Sequence, residues 1–154
     1  MVTLERSGLI SELNLSVGKA VEMRDNALMF NVGLTGFIAI ADRKGMLLSA
    51  QVTGDGLSDM NVPLAFAKLR IVIAARRSSR LQIEKMTKAG INLANYADLG
   101  GGVAIFADKD RREFVGAVAF SGGSEEQDEQ ICVNAIETSG LFTDIPPKTE
   151  EASS

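Results

Sequence analysis

The sequence predicts an α+β domain in which two β-hairpins make one antiparallel sheet flanked by amphipathic helices. Three observations predict it. The hydrophobic period changes along the chain in the order helix, hairpin, helices, hairpin, helix. Both strand pairs are joined by short turn-forming segments, so they need no long crossover. The 154 residues, 45% of them hydrophobic, suffice for one core that helices must cover on the sheet faces.

The first helix is expected from Thr3 to about Asn26, where Leu9, Ile10, Leu13, Val17, Ala20 and Val21 recur at helical spacing. From Ala27 the pattern alternates through Leu28, Phe30, Val32 and Leu34, and Phe37 to Ala41 is almost continuously apolar, as in a covered strand. Asp42-Arg43-Lys44-Gly45 is a turn signal, with Met46 to Val52 returning. A loop from Thr53 to Asp59 follows, where Ser58 or Asp59 can cap the next helix.

That helix, Val62 to about Arg77, carries the stripe Val62, Ala65, Phe66, Leu69, Val72 and Ile73, with Pro63 in its first turn. A shorter helix is expected through Lys88, closed by Gly90. Val103 to Ala107 and Glu113 to Phe120 read as the second hairpin, around a charged turn at 108–112. Ser121-Gly122-Gly123 breaks the strand, and Ser124 with Gln127 forms a capping box that opens a last helix buried through Ile131, Cys132, Ala135 and Ile136. The domain is expected over residues 1–140. Residues 141–154, with Pro146, Pro147 and little to bury, read as a flexible tail.

Composition bounds the chemistry. There is no histidine, which removes Ser-His-Asp and Cys-His catalysis and every His-ligated metal or haem. No metal-ligating cluster is visible. The net charge of −4 and 5% aromatic content argue against nucleic acid and against an anionic membrane surface. Cys132 is the only cysteine, so no intrachain disulfide forms, and the reading is a cytoplasmic protein.

Acid–base work would fall to carboxylates, lysine or the lone Tyr96. Asp42, Asp55, Asp59 and Asp128 stand at strand ends, loops or helix starts, where a side chain can face a pocket or simply cap a turn. Tyr96 lies in the loop 92–102 and serves as a donor or as a loop anchor. Asp59, Tyr96 and Asp128 are the candidate catalytic residues. Gly122 and Gly123 free backbone amides for a ligand carbonyl or make an ordinary strand-to-helix turn; the four acids after them oppose a phosphate. Lys68, Arg70, Arg76, Arg77 and Arg80 form a basic face, in which Lys68 and Arg76 are candidate ligand contacts or part of a solvated surface.

One set of motifs runs from Gly101-Gly102-Val103 through Gly116-Ala117-Val118 to Ser121-Gly122-Gly123 and Gln127-Asp128-Glu129. Upstream stand Asp42, Gly45 and Leu47, then Asp55-Gly56 and Ala67-Lys68. In these motifs the chain resembles the GlcG/HbpS-like, or haem-degrading-domain, family, related to the C-terminal domain of PduO-type corrinoid adenosyltransferases. Where the family pattern has a serine seven residues before the lysine and a threonine three after it, this chain has Asn61 and Ile71.

The resemblance covers roughly residues 3 to 140 and implies a profilin-like layout, homo-oligomers with ligand pockets near subunit contacts, and haem binding or auxiliary catabolic roles. Without an imidazole, haem would need Cys132, Tyr96, a methionine or a lysine. The leading expectation is a cofactor-independent lyase or isomerase acting on a small apolar catabolic intermediate. The alternatives are a haem- or corrinoid-binding sensor or carrier, and a structural subunit of a larger enzyme.

Overall fold

In the computed structural model, which describes residues 13–30, 33–91 and 99–147, the element order is α1 (Val17–Phe30), β1 (Phe37–Asp42), β2 (Leu47–Val52), α2 (Asn61–Ala75), α3 (Ser79–Lys88), β3 (Gly102–Phe106), β4 (Phe114–Ser121) and α4 (Glu125–Thr138). The two hairpins join through their inner strands into one antiparallel sheet of order β2-β1-β4-β3. The central pairing sets Phe37 opposite Ser121 and Asp42 opposite Gly116. This is the α+β architecture expected.

Alternation along the strands sorts side chains by size as well as by face. Ile38, Ile40, Val103, Ile105, Val118 and Phe120 pack with Ala20, Met23 and Ala27 of α1 and with Ile131, Cys132, Ala135 and Ile136 of α4. Ala39, Ala41, Ala104, Ala117 and Ala119 face the other way, toward Ala65, Leu69 and Val72 of α2. That floor of alanines lets α2 lie close to the sheet, so backbone proximity replaces side-chain bulk there.

Three boundaries differ from expectation. Residues 13–16 are not helical: the Leu15 amide bonds to Val115 O and the Ser16 hydroxyl accepts from the Lys19 amide, so α1 starts at Val17, while the expected turns through residue 12 lie outside the described residues. Ala27 to Phe30 continue α1 instead of starting a strand, because Ala27 extends the buried stripe of Ala20 and Met23. Before α2 the capping position falls to Met60, without a side-chain cap; Ser58 serves the preceding turn, taking the Met60 amide on its hydroxyl and the Asn61 amide on its carbonyl. Asp59 stays exposed.

The expected tail is fastened over 141–147. Phe142 bridges Phe106 through two backbone hydrogen bonds, extending the β3 edge, and Leu141 and Ile145 pack on the core. Asp144 accepts from both the amide and the hydroxyl of the fully buried Ser78, which in turn receives the Ala104 amide. A proline-rich composition hid a carboxylate that closes the start of α3. The capping box at Ser124 and Gln127 is present as expected.

Candidate functional site

At the end of the sheet where β1 begins and β4 ends, three segments converge: the loop 53–60 leading into α2, residues 99–101, and the turn 121–125. The Gly36 amide bonds to the Thr53 hydroxyl, the Ser121 hydroxyl donates to Asn61 Oδ1, and the Gly100 amide reaches a Glu125 carboxylate oxygen. Each expected catalytic residue belongs to one of these segments or to the loop or helix joined to it. Asp59 precedes α2, Asp128 lies in the first turn of α4, and Tyr96 falls in the stretch 92–98, outside the described residues.

Beneath this end sits a buried ion pair. Lys68 is 2% and Asp128 3% exposed. The Lys68 ammonium donates to Asp128 Oδ2 at 3.0 Å and to the Phe120 carbonyl at 2.8 Å. Asp128 Oδ1 takes the Gly123 amide at 2.8 Å, and the nearby Gly122 amide adds to the pull on this carboxylate. Because α2 and α4 cover opposite faces of the sheet, the lysine stem must cross from one helical layer to the other around the strand ends. The pair is a clasp across the whole sandwich.

Glycine makes the crossing possible. Gly101 has φ +109°, and a Cβ there would stand 2.8 Å from Asp128 Cβ and 3.1 Å from the ammonium. A Cβ on Gly102 would stand 2.9 Å from the Lys68 carbonyl. The Gly101-Gly102 doublet is thus a passage cut for the pair.

Burial pushes the Asp128 carboxyl above its ordinary value, against the opposing pull of Lys68 and the two glycine amides. Burial also pushes the Cys132 thiol up, so the sulfur stays protonated and donates weakly to the Gly101 carbonyl at 3.5 Å.

These contacts revise the expected roles. Lys68 is not on a solvated basic face: its position between Ala65 and Val72 places it on the buried stripe of α2. The Gly123 amide is taken by the chain's own Asp128, so this turn matches the ordinary strand-to-helix alternative and that amide is not free for a ligand carbonyl. Arg76 closes the far end of α2 in a left-handed conformation, φ 52°, with its guanidinium 5.8 Å from the Phe114 ring centroid. Nothing brings it to Lys68. Arg80 is tied to Glu129 and Glu84, and Arg77 donates to Gln82. Asn61 and Ser121, which the sequence reading passed over as site residues, link α2 to β4 beside the clasp.

Cys132 is fully buried and Lys68 is engaged, so neither can reach a haem iron. With no histidine in the chain, the clasp does not fit an axially ligated haem. A separate groove of about 270 Å³ runs between α4 and the C-terminal segment, lined by Glu129, Gln130, Val133, Glu137, Ile145 and Pro146. Among the described residues no helix is long and apolar enough to cross a membrane.

The fold and the clasped sheet end define a layered α+β domain with loop 53–60, residues 99–101 and turn 121–125 gathered at one end. The family model described as haem degrading protein HbpS-like matches residues 16–137, and the chain belongs to that family. Among solved structures, a PduOC:heme complex superposes with TM-score 0.70 at 23% identity, covering 85% of this chain and 99% of that one. A double mutant of Streptomyces reticuli HbpS gives 0.72 at 19% identity, covering 90% and 95%. The Klebsiella pneumoniae protein ORFY gives 0.70 at 17% identity, covering 90% and 98%. A search of curated proteins returned no match.

Proposed function

We propose that this protein binds a small, largely apolar organic molecule at the sheet end where loop 53–60, residues 99–101 and turn 121–125 meet, with the Lys68–Asp128 clasp as the floor of the site. The observation that carries this reading is the buried pair itself. A lysine and an aspartate this deep cost several kcal/mol each to desolvate, and apolar side chains of similar size would fill the same space at least as stably. What the pair adds is a fixed backbone geometry at Gly101, Gly122 and Gly123.

The same geometry supports binding ahead of catalysis by Asp128. A proton donor must reach its substrate, and this carboxylate is shielded and already accepts from the Lys68 ammonium and the Gly123 amide. Lyase or isomerase turnover, if the ligand is processed, therefore belongs to Asp59 and Tyr96. Haem, which the PduOC relative holds in its complex, is the competing ligand. Self-association and a cytoplasmic setting complete the reading.

Amide-resolved NMR titration with a panel of cyclic alkenes, epoxides and enol lactones tests it. Shifts are expected in 53–61, 99–101 and 121–125, and weakened binding in Asp59→Asn and Tyr96→Phe at unchanged melting temperature. Shifts confined to the groove beside residues 145–147, or a Soret band on adding haemin that is lost in Tyr96→Phe, would overturn it.

A further inference from the structure

Strand β2 is the edge of the sheet and pairs only with β1 among the described residues. Its sequence, Leu47-Leu48-Ser49-Ala50-Gln51-Val52, holds no charge and no proline. Edge strands left in that state are templates for further pairing, and lysine or proline at the edge is the usual protection. The one irregularity is at Leu48, where the register against β1 shifts, and Ser49 to Val52 remain regular.

Among the described residues the face of β2 on the α2 side is also only half covered: Leu47 is 50% and Val52 44% exposed, and Ala50 between them is exposed. The half-buried Phe66 and Ile73 of α2 continue this apolar strip. Charge is arranged around it with opposite signs. Exposed Lys44 stands in the turn before β2, and exposed Asp55 in the loop after it.

We infer that β2 pairs antiparallel with β2 of a second copy of this chain, about a two-fold axis at Ala50, to make a continuous eight-stranded sheet. The axis is perpendicular to the sheet, so it keeps each residue on its own face and joins the two apolar strips. It opposes Ser49 to Gln51 of the second copy, both uncharged. It also carries the Lys44 turn of each copy to the Asp55 loop of the other, so both ends close on opposite charges. Loop 53–60 thereby becomes part of the subunit boundary. This inference rests on the self-association proposed above and is independent of the ligand.

Sedimentation velocity on the full chain at about 100 µM, where an interface of micromolar Kd is populated, is the test. A dimer is expected. Ala50→Lys sets two like charges on the axis and should give a monomer with unchanged circular dichroism. Lys44→Asp and Asp55→Lys should each weaken dimerisation about tenfold, and the double swap should restore it. A dimer indifferent to Ala50→Lys and to both single swaps would overturn the surface while leaving self-association standing. A monomeric wild-type chain would overturn both.

Discussion

Removing the second partner of the Lys68–Asp128 clasp should cost less than removing the first. Lys68→Met keeps the length of the stem but leaves Asp128 with only backbone amides; Asp128→Asn keeps the shape but leaves the ammonium without a counter-charge. Breaking a buried pair on one side costs about 3–5 kcal/mol, because the surviving charge has neither water nor counter-ion. For a domain of this size, 1 kcal/mol moves the melting temperature by about 2–4 °C, so each single variant should melt about 10 °C lower or more.

The double variant should lose less than the sum of the two by at least about 2 kcal/mol. Urea unfolding of the four proteins closes the cycle, provided the m-value is constant. Acidification should partly rescue Lys68→Met, since the isolated carboxyl can take a proton. Single losses under about 1 kcal/mol, or strict additivity, would refute the claim that the pair holds the sandwich closed.

Gly101→Ala should be among the most damaging single-methyl additions in the chain, about 2 kcal/mol or more by chemical denaturation, from left-handed strain together with the 2.8 Å approach to Asp128. Amides of Glu113 and Arg112 hold the Asp108 carboxyl below its ordinary value, so its contribution is present above 3.8 and lost as pH falls through the folded value. Asp108→Asn should flatten that acid limb in a pH series of unfolding curves. Asp144→Ala should cost about 1–3 kcal/mol by orphaning Ser78, with amide exchange rising first at Phe142 and Phe106.

Periodicity alone carried most of the architecture. The continuous apolar runs at Phe37 to Ala41 and Val103 to Ala107, the charged turns and the Ser124 capping box are local signals legible without any distant contact. The errors came where a local signal was overruled by a distant contact. Ala27 to Phe30 alternate like a strand, yet they stay helical because the α1 stripe finds β-sheet and α4 to pack on. Residues 141–147 look like a tail until Phe142 meets Phe106, over 30 positions away in the chain.

The site shows the same division. That Lys68 shares a helix face with Ala65, Leu69 and Val72, and Asp128 one with Ile131, Cys132 and Ala135, is visible in spacing, so two buried charges in search of partners could have been read directly. That they find each other is not visible. Their meeting depends on how far the alanine floor lets α2 approach the sheet, and on two glycines whose missing side chains open the way around the strand ends. Sequence fixes which side chains must be covered, because hydrophobicity is a property of each residue; only the packed sheet decides which charges end up 3.0 Å apart, because that distance is set by every element between them.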